Sequence, residues 1–418
     1  MIHVQEAQRT ILERVETLGE EVVTVTQSGE RILSQPIVAR RNLPPWDNSA
    51  MDGYGVRASD LEGASEETLV RLPVQGMQLA GGTSIEALAP GKAVRIMTGA
   101  PIPPGVDAVV MRELCDESRV ADGQGEVGFK KAPAPGEAIR RKGEDVGHQD
   151  EIVARGTRVT PGVLNLMASA GHVTASVFRQ PEVAILASGD ELKELGEPYT
   201  DADILNSNAH AVAAAVAAAG GRPHLLGIAG DTLEAHVEKM KAAAHADVLL
   251  TIGGVSMGTH DFVRPALEAL GVELDFWKVA MRPGKPLAFG RKGQQAIFGL
   301  PGNPVSSLVT FELFVRPALR KMMGNRDPIR RALRGKLVGP GMKKRPGVSF
   351  FARAQVEVDA SGELSVKLEA KQGSGQISGL AWANALCVLP PDCEKVETGQ
   401  TVSVLLLDER ALWGSLSS

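Results

Sequence analysis

Between residues 181 and 324, apolar runs of strand length alternate with segments of helical composition, and this alternation limits the fold more than any other feature of the chain. PEVAILAS (181–188), DVLLTIGG (247–254), VELDFWKVAM (272–281) and QAIFGLPG (295–302) read as strands. Continuous apolar runs with few polar interruptions are the mark of strands covered on both faces. Between them lie an alanine-rich helix from Asn206 to Gly220, a helix opened by the capping-box-like Asp231-Thr-Leu-Glu234 and ending near Ala246, and a helix from Asp261 to Leu270. Asn303 followed by Pro304 opens one more, ended by Gly324, and Pro317 inside it predicts a kink or a split. Strands and helices in alternation predict an α/β domain built on a doubly wound parallel sheet.

The flanking segments read differently. Val4 to Leu18 has apolar residues at helical spacing, with Gly19 as the stop. From Tyr54 to Val153 short β segments are separated by Gly and Pro turns, which predicts a small all-β lobe. Residues 158–178 return to a helix followed by a strand. After Pro328 hairpin-like strands take over, one turning at Asp359–Gly362, and predict a C-terminal β-barrel or sandwich. A chain of 418 residues has room for about three domains and needs no metal or disulfide staple to fold.

Composition excludes several function classes. Lys and Arg total 45 against 50 Asp and Glu, a net charge of −5, which argues against a general nucleic-acid binder. The apolar stretch Ala209–Ala219 is too short to span a bilayer, and the N-terminus has no apolar signal core. Cys115, Cys387 and Cys393 form no CxxC pair. The expectation is a soluble cytoplasmic protein with reduced thiols, binding neither membrane nor nucleic acid.

In an open parallel sheet, ligands bind beyond the carboxyl ends of the strands. Three loops leave such ends: Ser188-Gly189-Asp190-Glu191; the glycine-rich run from Gly253 and Gly254 through Ser256, Gly258 and His260 to Asp261; and Gly299 to Pro304, with Pro301, Gly302 and Asn303. Glycines let a backbone approach a phosphate closely, and the second loop ends where a helix begins. His260 reads as an incidental hydrogen-bonding residue. Asp190, Glu191, Asp231 and Asp261 gather at the same edge. Hard carboxylates beside a phosphate site point to Mg²⁺, although Asp231 and Asp261 equally suit N-capping. Lys278, Arg282 and Lys285 stand on a Pro-bounded segment suited to a small oxyanion. No HExxH, Walker A or CxxC motif is present.

SAMDGYGVR (49–57), IMTGAPIPPGVDAVV (96–110), RRKGEDV (140–146), SGDEL (188–192), GGVSMGTHDF (253–262), MRPGKP (281–286) and GLPGNPVS (299–306) occur in this order. Together they resemble the MoeA family of molybdopterin molybdenumtransferases, which includes the gephyrin E domain. The resemblance spans nearly the whole chain and is weakest after Pro328. It implies a homodimer and four domains: a discontinuous helical one (1–43 with 146–179), a β lobe (44–145), the α/β molybdopterin-binding domain (180–327) and a C-terminal β-barrel (328–418). It further implies insertion of molybdate into adenylylated molybdopterin with release of AMP, aided by Mg²⁺, and contacts with other cofactor-biosynthesis enzymes and apo-molybdoenzymes. By position, Asp52, Thr98, Asp145, Glu191, Asp231, Asp261 and Lys278 match residues the family uses. Glu191, Asp231 and Asp261 are assigned to the metal and pterin phosphate, and Lys285 and Ser374 to molybdate.

Two departures from the family pattern matter. Arg282 stands where many members have lysine. Val348 follows Pro346-Gly347 where members often have arginine nearby, leaving Arg345 or Arg353 as the alternative source of that contact. Three rival readings are a molybdopterin adenylyltransferase, a dimeric scaffold without catalysis, and an enzyme that takes tungstate. The first is a single-domain protein, against which the extra lobes argue.

Overall fold

The computed structural model describes residues 1–81, 86–121, 123–255, 261–359 and 361–408. Packing divides the chain into two units, one of residues Met1–Glu21 with Phe178–Ser418 and one of Val22–Val177.

In the larger unit, the strands β1 (Glu182–Ser188), β2 (Arg222–Ala229), β3 (Val248–Ile252), β4 (Glu273–Lys278), β5 (Pro286–Lys292) and β6 (Gln295–Leu300) form one sheet in the order β2-β1-β3-β6-β5-β4. The first four in that order run parallel, as the βα alternation predicts. β5 and β4 extend the sheet, β5 antiparallel to β6 and β4 antiparallel to β5. A two-residue turn, Gly293-Gln294, joins β5 to β6, and such a turn can connect only antiparallel neighbours.

Both faces of the sheet are covered because successive residues point to opposite sides. Val183, Ile185 and Ala187 of β1 share one core with Val212 and Val216 of helix α2 (Ser207–Ala219). Ala184 and Leu186 share another with Met240 of α3 (Leu233–Ala242) and Val263 and Leu267 of α4 (Val263–Ala269). The N-terminal helix α1 (Val4–Arg14) places Val4, Ala7 and Ile11 in the first of these cores. It is shorter than its sequence pattern predicts and does not reach Gly19. Val15 is already extended, at φ −93° and ψ 140°, and Leu18 N–H donates to Met322 O at 2.8 Å. The apolar residues after Arg14 therefore serve packing in an extended segment.

Helix α5 (Pro304–Thr310) and helix α6 (Arg316–Met322) are separated by a π-helical segment, Phe311–Val315, just ahead of Pro317. The proline that predicts a split is thus accommodated by one wide turn. Gly324 ends this run at φ +79°, against the Phe178 ring.

Downstream, β7 (Leu333–Leu337), β8 (Ser349–Val358), β9 (Leu364–Leu368), β10 (Ala385–Leu389) and β11 (Thr401–Leu406) close on themselves in the order β8-β9-β7-β11-β10 and back to β8. Closure removes free strand edges. Phe350, Val356, Val366, Leu389 and Val404 fill the interior. The β8–β9 hairpin turns at Asp359, whose carboxylate accepts from Ser361 N and Glu363 N.

The second unit holds a six-stranded sheet. Its strands, side by side, are Ala108–Met111, Gly53–Val56, Ala93–Ile96, Val70–Gln78, Gln124–Phe129 and Cys115–Ala121, over a core of Tyr54, Leu61, Val127 and Phe129. Beside it in sequence, Ile37–Val38 pairs with Glu151–Val153, and helix Pro161–Ser169 buries Met167 against Leu33, Val159 and Val177. Among the described residues, no helix is long and apolar enough to cross a membrane.

Replacing Gly324 by Ala combines a left-handed backbone with a Cβ aimed at the Phe178 ring. The expected result is a loss of about 1–3 kcal/mol, read as a lower urea midpoint at unchanged slope.

Candidate active site

β1, β3 and β6 pair in register, Ala187 opposite Ile252 and Ile252 opposite Leu300. Their carboxyl ends stop level, and the three loops that follow open into one cleft of about 560 Å³. Ser188 and Glu191 line it from the first loop, Gly253 and Gly254 from the second, and Pro301, Gly302 and Asn303 from the third. Gly189 lets Glu191 fold back toward the cleft, since a Cβ on it would strike the Glu191 carboxylate. Ser256 and Gly258, with Met257, Thr259 and His260, lie outside the described residues.

Gly254 is the tightest point of the second loop. At φ +63°, a Cβ there would lie 2.6 Å from Val263 Cγ2, 3.2 Å from Ser188 Oγ and 3.3 Å from Asp261 Oδ1. Glycine thus lets Ser188 and Asp261 share this corner. Both Asp261 carboxylate oxygens are buried without a hydrogen-bond partner among the described residues, and burial pushes the pKa up to about 6.

Neither aspartate caps a helix. Thr232, one residue after Asp231, is the cap of α3, and its hydroxyl accepts from Ala235 N at 3.2 Å. Asp231 N–H instead donates to Asp190 Oδ1 at 2.9 Å. Phe262 occupies the cap position of α4, and no side chain bonds there. The N-cap expectation for Asp231 fails by one residue because the extended backbone that a cap needs falls at Thr232, with φ −132° and ψ 150°.

Several lining residues carried no sequence signal beyond a helix start. Asn206, Ser207 and Asn208 open α2 and also line the cleft. The buried Asn206 amide donates to Glu194 at 3.0 Å, and His210 Nε2 meets the same carboxylate at 2.6 Å. That histidine bond, first among several, holds the Glu194 carboxyl below its usual range. Asn208 donates to Gly302 O at 2.5 Å, tying α2 to the third loop. Ile377, from the segment between β9 and β10, and Pro286 complete the wall. Ser188 Oγ lies 2.8 Å from His236 Nε2, a contact across 48 residues of sequence.

The cations divide into two settings. Lys278 is half-buried at the end of β4, paired in register with Pro286 of the cleft wall. Arg282 and Lys285 are exposed. Arg282 lies over the Phe350 ring at 5.9 Å and, with Lys343, Lys344, Arg345 and Gln372, lines a second pocket of about 290 Å³. Ser374 lies two residues beyond Gln372, and its carbonyl accepts from Val305 N of α5 at 3.2 Å. Arg345 and Arg353 are far from equivalent. Arg345 faces that pocket, whereas Arg353 is fully buried on the face of β8 opposite the barrel interior, its guanidinium donating to Lys371 O.

In the second unit, Thr98 donates to Asp52 Oδ1 twice, from its backbone N and its hydroxyl, each at 2.7 Å. These bonds lower the Asp52 pKa. Asp145 is exposed, its backbone N–H on Leu43 O. The RRKGEDV charges around it form a turn in which Arg141 pairs with Asp47 at 2.7 Å.

Among the described residues, no group of three or more His, Cys, Asp or Glu side chains is arranged to hold an ion unaided. The orphaned Asp261 carboxylate beside a cleft that Glu191 also lines does suit a hard cation whose remaining oxygens come from a phosphate.

A strand-end cleft with glycine loops, an unpaired carboxylate and a separate cationic pocket defines a small-molecule-binding α/β protein that handles anionic substrates. Residues 2–171 match the MoeA N-terminal region (domain I and II), residues 184–321 a probable molybdopterin binding domain, and residues 338–407 the MoeA C-terminal region (domain IV). The chain is 38% identical over 409 residues to the molybdopterin molybdenumtransferase of Bacillus subtilis, covering 98% of this chain and 94% of that one. It is 36% identical to that of Haemophilus influenzae, covering 92% and 93%. The crystal structure of the molybdopterin biosynthesis MoeA protein from Pyrococcus horikoshii OT3 superposes with a TM-score of 0.81 at 27% identity, covering 97% and 100%. The chain belongs to the MoeA family.

Asp261 supplies a pH test. Its folded pKa of about 6 lies above the ordinary 3.8, so its contribution to stability is full below pH 3.8 and lost as pH rises through 6. Ionising it in the folded chain costs about 1–2 kcal/mol after solvent screening. Asp261→Asn should therefore raise the urea midpoint at pH 8, with the gain shrinking at pH 5. An equal gain at both pH values would remove burial of charge as its cause.

Proposed function

We propose that the protein is a molybdenum insertase, transferring molybdate into adenylylated molybdopterin with release of AMP. The observation that carries this reading is the convergence of the SGDEL, GGV and GLPGN segments on one cleft beside the Asp261 carboxylate, which has no hydrogen-bond partner among the described residues. Glycine-walled strand ends suit a phosphoanhydride, which needs backbone N–H groups at close range. Glu191 and Asp261, with Asp231 nearby in the motif order, are the residues that would hold Mg²⁺. Bound there, the ion supplies charge neutralisation for the anhydride phosphates.

Molybdate is a tetrahedral dianion and needs donors already in place. Lys285, Ser374 and Arg282 are assigned to it, and Arg345 is assigned the contact that Val348 cannot make. A water positioned by molybdate attacks the adenylyl phosphorus, giving AMP as the anhydride P–O bond to the pterin phosphate breaks; if a molybdate oxygen attacks instead, the adenylyl–molybdate ester it forms is hydrolysed by water to AMP and molybdate. Lys278, at the sheet edge beside Pro286, is assigned to the phosphates. Asp52, Thr98 and Asp145 are assigned a supporting role from the second unit. The reading includes a cytoplasmic homodimer, the four-domain division given above, and exchange with neighbouring enzymes of cofactor assembly and apo-molybdoenzymes.

The test is AMP release from adenylylated molybdopterin with Mg²⁺, with and without molybdate. Molybdate-dependent release that yields transferable cofactor is expected, and release indifferent to molybdate would overturn the insertion step. Lys285→Ala should raise the molybdate concentration for half-maximal rate by about tenfold or more at unchanged stability, since a charge-assisted bond is lost. Arg345→Ala should act in the same direction, whereas Arg353→Met should change barrel stability and leave the molybdate dependence alone. Equal molybdate effects from the two arginines would refute the assignment of Arg345.

A further inference from the structure

His236 stands outside the machinery assigned so far. It lies on α3, wholly buried, and its ring makes two hydrogen bonds. Nδ1 meets the Thr232 carbonyl at 2.8 Å and Nε2 meets Ser188 Oγ at 2.8 Å. A carbonyl oxygen only accepts, so Nδ1 carries the proton. Neither ring partner is charged, and a buried imidazolium without a counter-ion is costly. Nε2 therefore keeps its lone pair and takes the hydrogen of the Ser188 hydroxyl. Ser188 lines the cleft with its oxygen lone pairs alone.

The neighbours have the same polarity. The Asp261 carboxylate shares the corner at Gly254 with Ser188, and the Glu191 carboxylate lines the same cleft. Phe262 packs against the His236 ring, 6.1 Å between centroids, so the histidine is held from the α4 side as well. With its hydrogen given to His236, Ser188 Oγ has none to offer a phosphate oxygen and suits a ligand edge that donates.

We propose that His236 is a positioning residue that holds Ser188 Oγ as a hydrogen-bond acceptor toward the cleft, so that this corner receives an N–H donor of the ligand's heterocycle and not a phosphate oxygen. The proposal rests on the reading that the cleft binds a phosphorylated pterin, and it reassigns Ser188 from the phosphate cradle to the ring.

Two measurements on the full-length chain decide it. The first is the ¹⁵N spectrum of the histidine rings, with His236 identified by the signal that His236→Gln removes. A protonated Nδ1 and a bare Nε2 are expected, and an Nε2–H signal overturns the wiring. The second is binding of 6-hydroxymethylpterin and of AMP as separate probes. Ser188→Ala and His236→Phe should each weaken the pterin about fivefold, the size of one neutral hydrogen bond, and leave AMP unchanged. The double variant should lose no more than either single one, because His236 acts only through Ser188. His236→Gln, whose amide oxygen can accept the same hydrogen, should bind within about twofold of the wild type. Additive losses, or a loss of AMP binding instead, would overturn the positioning role. Ser188→Ala keeps the binding test available if His236→Phe does not fold. A wild-type chain that binds no pterin overturns the underlying cleft reading, and with it the ligand class named here, whatever the ring spectrum shows.

Discussion

The in-register parallel pairing of β1, β3 and β6 is the constraint on which the site depends. Because Ala187, Ile252 and Leu300 lie level across three strands, the residues that follow them emerge side by side. Ser188, Gly253 and Pro301 thereby become neighbours although more than a hundred residues separate the first from the last. A one-residue slip of β3 would send its side chains to the opposite faces of the sheet. The alternating burial of Val248, Leu250 and Ile252 in one core and Leu249 in the other penalises such a slip, so core packing and site geometry are set by the same register.

Around that frame the charges are segregated. Asp261 and Glu191 give the strand-end cleft an acceptor-rich corner, while Arg282, Lys343, Lys344 and Arg345 gather at the mouth of the barrel. The Asp261 carboxylate is buried without a partner among the described residues, a costly arrangement in a resting fold. Sites that must bind charge commonly keep groups that weaken the unliganded protein. Arg353 is the contrasting case: its buried guanidinium is satisfied in part by the Lys371 carbonyl, and burial lowers its pKa.

What could be read along the chain was local. The strand cores, the alanine-rich α2 with its Gly220 stop, and the hairpin at Asp359 depend on periodicity and turn chemistry within a few residues. β5 was missed because Pro286 and Gly290 interrupt a short run that only its pairing with β4 and β6 makes a strand. The cap of α3 was misplaced by one residue because Asp and Thr are both good caps and only the backbone dihedrals choose between them. Asn206 read as a helix boundary, and nothing near it in sequence announced that Glu194 would orient its amide. His236 lies within α3, and only the fold sets it against Ser188.

The sequence by itself determined the α/β class, the three loop compositions at the strand ends and the ordered motifs that mark the family, because these reside in residue type and short-range spacing. The tertiary structure alone decided which of those residues meet. It brought Asn206, Asn208 and Ile377 into the cleft wall, set Asp261 beside Ser188, and sent Arg345 to a cationic pocket but Arg353 to a buried place beneath Lys371 and Gly379. The physical reason is that burial and hydrogen-bond partnership are properties of neighbours in space, and in this fold the deciding neighbours are brought together by strand register and helix packing from tens to hundreds of residues away.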